Sequence, residues 1–179
     1  MEETEIPLEQ VQEQAEHALH HGATSNWVTW AALLSAVLAV LAAISALYAG
    51  SRVNEAMMDQ MRSSDQWSFF QAKGIKASVL ETRLGIFESL GTTVPEQAKE
   101  KLLEYSNEQK EIKEKAEHFE HASQRSFEQH EIFAHAVTFF QIAIAVTAIA
   151  VLAKRRRFLM VSGVFGAIGI LFLTKGLLF

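Results

Sequence analysis

Three long runs with almost no charged residues constrain the fold of this chain more than any other feature. They cover 27–49, 132–153 and 158–179, and the first two carry no formal charge. About 20 apolar residues in a helix cross the ~30 Å hydrocarbon core of a bilayer. The third run is free of charge up to Thr174, and Lys175 near its end can extend its amine to the headgroups. The sequence therefore predicts an all-α membrane protein with three transmembrane helices rather than a soluble helical bundle.

The remaining segments are arranged around these runs. We predict an acidic N-terminal tail with a short amphipathic helix at 1–26, transmembrane helix 1 at 27–50, an extramembrane helical hairpin at 51–131, transmembrane helix 2 at 132–153 and transmembrane helix 3 at 158–179. No proline and no glycine-rich break follows the first run, so we expect one helix to about Leu90. In "GTTVPEQ", Gly91 suits a left-handed helix end and Pro95 the first turn of a second helix, which runs on into the second span.

The second helix carries a sustained heptad pattern. Steps of three and four residues are typical of a left-handed coiled coil. Its predicted seam is Ala98, Leu102, Tyr105, Gln109, Ile112, Ala116, Phe119, Ser123, Ser126, His130, Phe133 and Val137. The first helix offers Ser68, Ala72, Ile75, Val79, Thr82 and Ile86 at the same spacing. Together these seams predict a long antiparallel coiled-coil hairpin between the first and second spans.

Three stretches of the chain resemble a known family. They are "SDQWSFFQAKGIKA" at 64–77, "HALHH" at 17–21 and "HEIFAHAVTFFQIAIA" at 130–145. The likeness covers nearly the whole chain and is to a bacterial membrane-protein family named domain of unknown function 4337. It implies a multi-pass protein of the bacterial inner membrane. It brings no reaction, ligand or site residue with it.

A basic turn between the second and third spans predicts the topology. Its residues are Lys154, Arg155, Arg156 and Arg157. The positive-inside rule places this turn in the cytoplasm, which makes the N-terminus cytoplasmic and the hairpin periplasmic. Arg52 and Arg62 after the first span favour the opposite orientation, but long translocated segments weigh less in the rule.

Charge and composition exclude several classes of function. The segment 51–131 holds 11 basic and 15 acidic residues, so it offers no basic face to a nucleic acid. The absence of cysteine excludes disulfides, thiolate chemistry and Cys-type zinc sites. No nucleophile–base pair and no phosphate-binding loop stands out. The sequence therefore indicates neither an enzyme nor a bound cofactor. The partner that it does indicate is the lipid bilayer.

Three histidines in the N-terminal tail are the candidate metal ligands. His17, His20 and His21 share one face of the predicted short helix, where imidazoles can bind zinc, nickel or copper. The alternative is that they end this helix before Gly22, where a cationic histidine suits the helix dipole. A metal-responsive membrane protein is therefore one alternative function.

Two polar residues enter the second span. His135 and Gln141 are expected to face protein, because polar groups at membrane depth usually form hydrogen bonds to neighbouring helices. An ion pathway would need a chain of such groups. A channel or transporter whose axis is lined by the first span is the second alternative function, and the many Ala, Leu and Val residues of that span argue against it.

An aromatic block in the polar segment predicts a surface between chains. On a helical wheel aligned to the predicted seam, two apolar flanks remain beyond the reach of the partner arm. Their residues are Trp67, Phe69, Phe70, Gly74, Leu80, Leu84 and Phe87. Exposed patches of this kind usually mark an interface. We therefore predict a non-enzymatic scaffold or adaptor that homo-oligomerises, with a further protein partner possible at the hairpin tip or at the tail.

Overall fold

The computed structural model describes residues 26–93 and 95–178, and these residues form three α-helices without a strand. Helix α1 spans Asn26–Ser89, α2 spans Glu96–Leu152 and α3 spans Arg157–Leu178. The all-α class and the continuous first and second helices are thereby confirmed. All three helices are long and apolar enough to cross a membrane.

The turn after α1 has the predicted left-handed helix end. Gly91 has φ +66°. The Gly91 amide donates to the Glu88 carbonyl at 3.1 Å, and the Thr92 amide donates to the Phe87 carbonyl at 3.0 Å. These two hydrogen bonds form a Schellman motif, which satisfies carbonyls that the end of the helix would otherwise leave unpaired.

Contacts divide the described chain into two compact units. The first, which we call the apolar unit, contains 26–52 and 128–178. The second, which we call the polar unit, contains 53–127. Helices α1 and α2 each contribute a segment to both units, and α3 belongs to the apolar unit alone.

The predicted seam of α2 is confirmed by burial. Every one of its described positions is buried or half-buried, from Ala98 near the start of the helix to Val137. Ala116 has no exposed surface, and Ile112 is also buried. The positions between the seam residues in the polar unit are mostly Glu, Lys and Gln, and most of them are exposed. A single apolar stripe on an otherwise charged helix can bury only that stripe.

The predicted seam of α1 is wrong. Ser68, Ala72, Ile75, Val79, Thr82 and Ile86 are all exposed, and Ile75 and Val79 each retain 65% of their accessible surface. The face that contacts α2, which we call the inner face, consists of Ala56, Asp59, Ser63, Gln66, Phe70, Lys73, Ala77, Leu80, Leu84 and Phe87. It has the same three-four spacing but lies two positions earlier in the sequence. Two residues rotate a helix by about 200°, so the predicted seam points away from α2.

Small residues let the two helices approach closely in the polar unit. Ser63 Oγ donates to the Ala116 carbonyl at 3.0 Å, and Ser123 Oγ donates to the Ala56 carbonyl at 2.8 Å. Each helix thus supplies one alanine and, seven residues later, one serine, and each serine bonds to the other helix's alanine. The residue numbers of the partners in α2 fall as those in α1 rise.

Glycines in α3 receive the phenylalanine rings of α2 in the apolar unit. A Cβ added at Gly169 would lie 2.7 Å from the Phe140 ring, and one at Gly176 would lie 2.7 Å from the Phe133 ring. Both rings are almost completely buried. Phe133 also stacks on Tyr48 of α1, with ring centroids 5.3 Å apart. The rings fill the space that the absent side chains leave.

This packing predicts that Gly169→Ala destabilises the chain. The new methyl group would overlap a ring with no free space to move into, and overpacking of this kind costs about 1–3 kcal/mol. Gly163→Ala is the matched control, because nothing lies within 4 Å of a Cβ there. Its expected effect is neutral or stabilising by up to about 1 kcal/mol through helix propensity. Unfolding in detergent followed by circular dichroism measures both, and equal stabilities for the two variants would contradict this packing.

Candidate interaction surfaces

The aromatic block of α1 packs against the chain's own α2. Gln109 Nε2 donates to the Phe70 carbonyl at 3.4 Å, and a Cβ at Gly74 would lie 2.9 Å from the same nitrogen. Trp67 is half-buried and meets the Phe70 ring edge to face at 5.6 Å. Phe70 and Gly74 were predicted to lie beyond the reach of α2, and that placement is wrong because the inner face of α1 is rotated from the predicted one.

Leu80, Leu84 and Phe87 also lie on the inner face. Leu84 is buried, and the other two are half-buried. Together with Pro95 and Ala98 of the α2 end they line a groove of ≈ 320 Å³ near the turn between the helices. Five of the seven predicted interface residues thus belong to the inner face or lie beside it, whereas Trp67 contacts Phe70 of its own helix.

Phe69 is the member of the predicted set that stays half in solvent, with 49% of its surface exposed. The Lys73 amine lies 5.6 Å from the Phe69 ring centroid and 5.1 Å from that of Tyr105, and it forms an ion pair with Glu108. The ion pair thus joins α1 to α2 within the same chain.

An exposed stripe follows the side of α1 opposite the inner face. In the polar unit this outer stripe consists of Asn54, Met58, Met61, Asp65, Ser68, Ala72, Ile75, Val79, Thr82 and Ile86. A groove of ≈ 340 Å³ runs beside its last turns, lined by Val79, Thr82 and Ile86 and by the neighbouring Ser78, Arg83 and Phe87. The outer stripe therefore offers both apolar side chains and a depression between them.

The two helices of the polar unit differ in what they expose. Among the described residues of this unit, α1 and the turn after it expose eight large apolar side chains: Met57, Met58, Met61, Phe69, Ile75, Val79, Ile86 and Leu90. Helix α2 exposes two there, Leu103 and Phe127. An exposed apolar face of this size on one helix marks a surface that contacts something other than water.

The exposed side of α2 is suited to water instead. Lys101 donates to Glu104 at 2.7 Å, and Lys113 lies 3.6 Å from Glu117. The hydrogen bond between Lys101 and Glu104 raises the pKa of the lysine and lowers the pKa of the glutamate. Ion pairs one turn apart on an exposed helix add little stability each, but they keep the surface soluble.

The two polar residues of the second predicted span lie on the exposed side of α2. His135 Nδ1 is 2.6 Å from the Glu131 carbonyl of its own helix, and its ring stacks on Phe172 of α3 at 5.4 Å. The Gln141 side chain is exposed. The His135 ring thus contacts α3, while its hydrogen bond is within α2. The prediction that both residues form hydrogen bonds to neighbouring helices stays a prediction.

A buried polar contact between α2 and α3 was not predicted. The hydroxyls of Thr147 and Ser162 lie 2.7 Å apart, and both donate to the Ala143 carbonyl, at 2.9 and 2.8 Å. Thr147 follows Phe133 and Phe140 at intervals of seven, and Ser162 precedes Gly169 and Gly176 at intervals of seven. This shared seven-residue interval is the sequence signal that could have identified the contact.

The basic turn between α2 and α3 is also a Schellman motif. Lys154 has φ +49°, its amide donates to the Val151 carbonyl at 3.2 Å, and the Arg155 amide donates to the Ala150 carbonyl at 3.1 Å. A lysine at this position has a strained backbone, because its Cβ lies close to the following carbonyl oxygen in the left-handed conformation. A glycine would not be strained there. The Arg156 guanidinium lies 5.8 Å from the Trp27 ring centroid, so the turn contacts the start of α1.

The predicted metal ligands His17, His20 and His21 lie outside the described residues, and their role stays a prediction. Within 26–93 and 95–178, no group of three His, Cys, Asp or Glu side chains is placed to hold a metal ion. His130, which belongs to the α2 seam, has Nδ1 2.8 Å from the Ala49 carbonyl of α1.

Comparison with known proteins identifies the family but no activity. No curated protein and no solved structure matches the chain. The model of one family matches residues 27–179, which include all three helices and both units. The chain is therefore a member of the family described as domain of unknown function (DUF4337).

Proposed function

We propose that this protein is a non-enzymatic, homo-oligomeric scaffold of the bacterial inner membrane. Its three apolar helix segments span the bilayer, and the polar unit forms an antiparallel coiled-coil hairpin on the periplasmic side. The hairpins of several copies then present their charged α2 surfaces, and the groove near the turn, to other proteins.

Hydropathy and continuity support the membrane and hairpin parts of this proposal. Each helix contains an apolar window long enough to span a bilayer. Both α1 and α2 continue without interruption into the polar unit, where reciprocal serine–carbonyl bonds join them. The partner numbers run in opposite senses, which supports the antiparallel coiled-coil hairpin of this proposal.

The exposed apolar side chains of α1 are the observation that carries the oligomer. Five of them, Met58, Met61, Ile75, Val79 and Ile86, lie on the outer stripe, away from α2, in the unit that is too polar to enter the bilayer. Burial of a large apolar side chain is worth roughly 1.5–3 kcal/mol, so several on one stripe provide a strong drive for association. A copy of the same helix brings a matching stripe. The oligomer therefore has α1 inside and α2 outside.

The described residues favour the scaffold over the alternative functions. On the exposed side of α1 in the apolar unit lie Leu33, Val37, Val40, Ile44 and Leu47, none of which can replace the hydration shell of an ion. Ser45 is buried and donates to the Leu41 carbonyl of its own helix. A water-filled axis lined by α1 therefore has no support, and a metal-responsive role rests on the tail histidines alone.

The topology is tested by a reporter fused in the turn at 92–94. A phosphatase that is active only in the periplasm is expected to be active there, because the basic turn at 154–157 is retained in the cytoplasm. The matched control is the same fusion after Lys175, which three spans place on the opposite side from the N-terminus; this fusion is expected to be active too. An inactive fusion at 92–94 in well-expressed protein would reverse the orientation.

The oligomer is tested by light scattering of the detergent-solubilised protein. The wild type is expected to have the mass of several chains, and Ile75→Glu/Val79→Glu is expected to reduce this mass, because it places charges on the outer stripe. Leu103→Glu is the control, since Leu103 is 64% exposed but lies on α2. A monomeric wild type would refute the scaffold. A loss of mass in the control variant alone would place the interface on α2 instead.

A further inference from the structure

We propose that the α1 helices of neighbouring copies pack in parallel and in register, as a second coiled coil along the outer stripe. This inference rests on the proposed membrane scaffold and adds to it the identity, direction and register of the contact.

The spacing of the outer stripe indicates a coiled coil rather than a general apolar patch. Its positions in the polar unit alternate at steps of three and four from Asn54 to Ile86, and all of them are exposed. The same steps continue back along the sequence of α1 through Leu33, Val37, Val40, Ile44, Leu47 and Ser51, which are exposed as well. A strict seven-residue repeat keeps one stripe of a supercoiled helix facing a partner helix.

The outer stripe is independent of the contact with α2. The inner face repeats at the same interval two positions earlier, which places it about 200° away around the helix. A helix with two opposite heptad seams can pack against two partners at once. Its own α2 occupies one seam, and the other seam is open to a second helix.

A second copy of α1 fits the outer stripe better than the other candidates. Only α1 and α2 contain an apolar window and also continue into the polar unit. The exposed side of α2 there is mostly Glu, Lys and Gln, so a second α1 is the helix that brings a matching apolar stripe. All copies insert with the same topology, so two α1 helices must run in parallel. Any segment that precedes α1 leaves the membrane on the side opposite the hairpin and cannot reach the stripe there.

Size complementarity along the edges of the stripe favours the in-register arrangement. In a heptad, position a is the first of the two core positions. In a parallel coiled coil, the residue just before position a faces the residue that lies five positions further along the neighbouring helix. Gly50, Ser64 and Gly85 would then face Glu55, Phe69 and Leu90 of the next copy. Nothing lies within 4 Å of a Cβ at Gly50 or Gly85 in the single chain. The glycines are thus not required by the contact with α2, and they leave room for a large side chain from outside.

Polar residues in the middle of the stripe fix the register. Asn54, Asp65 and Ser68 separate an apolar section on the membrane side from the apolar section at Ile75–Ile86. Polar residues in a coiled-coil seam lower stability but penalise any shifted alignment, because a shift would place them against apolar side chains. In register, Asn54 and Ser68 can each hydrogen-bond to their own copy, which favours this alignment, whereas Asp65 faces a like charge and lowers the stability of the contact.

Disulfide crosslinking tests this arrangement, and the chain contains no native cysteine that would interfere. Single variants Ser68→Cys, Ala72→Cys and Thr82→Cys probe the outer stripe in native membranes under mild copper-catalysed oxidation. Ala77→Cys on the inner face and Ser106→Cys on the exposed side of α2 are the controls. Since a disulfide needs Cβ atoms about 4 Å apart, we expect at least about tenfold more crosslinked dimer at the three stripe positions.

The pattern of crosslinks separates this inference from the scaffold itself. Crosslinking at all three stripe positions supports the parallel, in-register seam. Crosslinking at one stripe position alone indicates that the helices cross at an angle and touch at one point, and it overturns the inference, as does crosslinking that is strongest at Ser106→Cys. If the stripe variants do not crosslink while light scattering still gives an oligomer, another surface or another protein covers the seam: the inference falls and the scaffold stands. A monomeric mass removes both.

Discussion

The close contact between α1 and α2 through alanine and serine determines which surfaces the rest of the molecule exposes. Ser63 and Ser123 each donate to a carbonyl of the opposite helix, at 3.0 and 2.8 Å. A serine hydroxyl is short, so these bonds form only where the two backbones lie close together and where small residues face each other. This requirement fixes the rotation of α1 about its own axis, and the rotation leaves Ile75 and Val79 pointing away from α2.

The apolar unit uses a different solution to the same packing problem. There, large rings of α2 enter spaces above glycines of α3, as with Phe140 at Gly169. Because lipid chains are as apolar as the helices, close van der Waals contact and buried hydrogen bonds supply the stability of such contacts. The shared bonds of Thr147 and Ser162 with the Ala143 carbonyl are of this second kind. In this unit Tyr48 of α1 also stacks on Phe133, so all three helices pack together, whereas the polar unit contains α1 and α2 alone.

Much of this architecture follows from the sequence. The charge-free runs predict the apolar helices, Gly91 predicts the left-handed turn, and the one apolar stripe of α2 predicts its buried seam. The inner face of α1 was missed because α1 has two seams with the same spacing. In the polar unit the contacting seam contains Phe70, Leu80, Leu84 and Phe87, and the exposed one contains Ile75, Val79 and Ile86. Hydrophobic periodicity therefore does not distinguish the two seams, and the hydrogen bonds between the helices depend on distances that a sequence does not contain. For the same reason, the sequence does not tell that Gly166 and Gly169 face neighbouring side chains while Gly163 does not.

The central claim is that α1 packs against two helices, α2 of its own chain and α1 of another copy, and lies nearer to the centre of the assembly than α2. Electron spin resonance distances between copies test this most directly, with one label introduced through cysteine at Ser68 of α1 or at Ser106 of α2. Packed helices are about 8–10 Å apart, so each α2 lies about that distance further from the centre than its α1. Across the assembly this adds up on both sides, and the α2 labels should be roughly 20 Å further apart than the α1 labels. Equal distances, or a shorter distance for the α2 labels, would contradict the account.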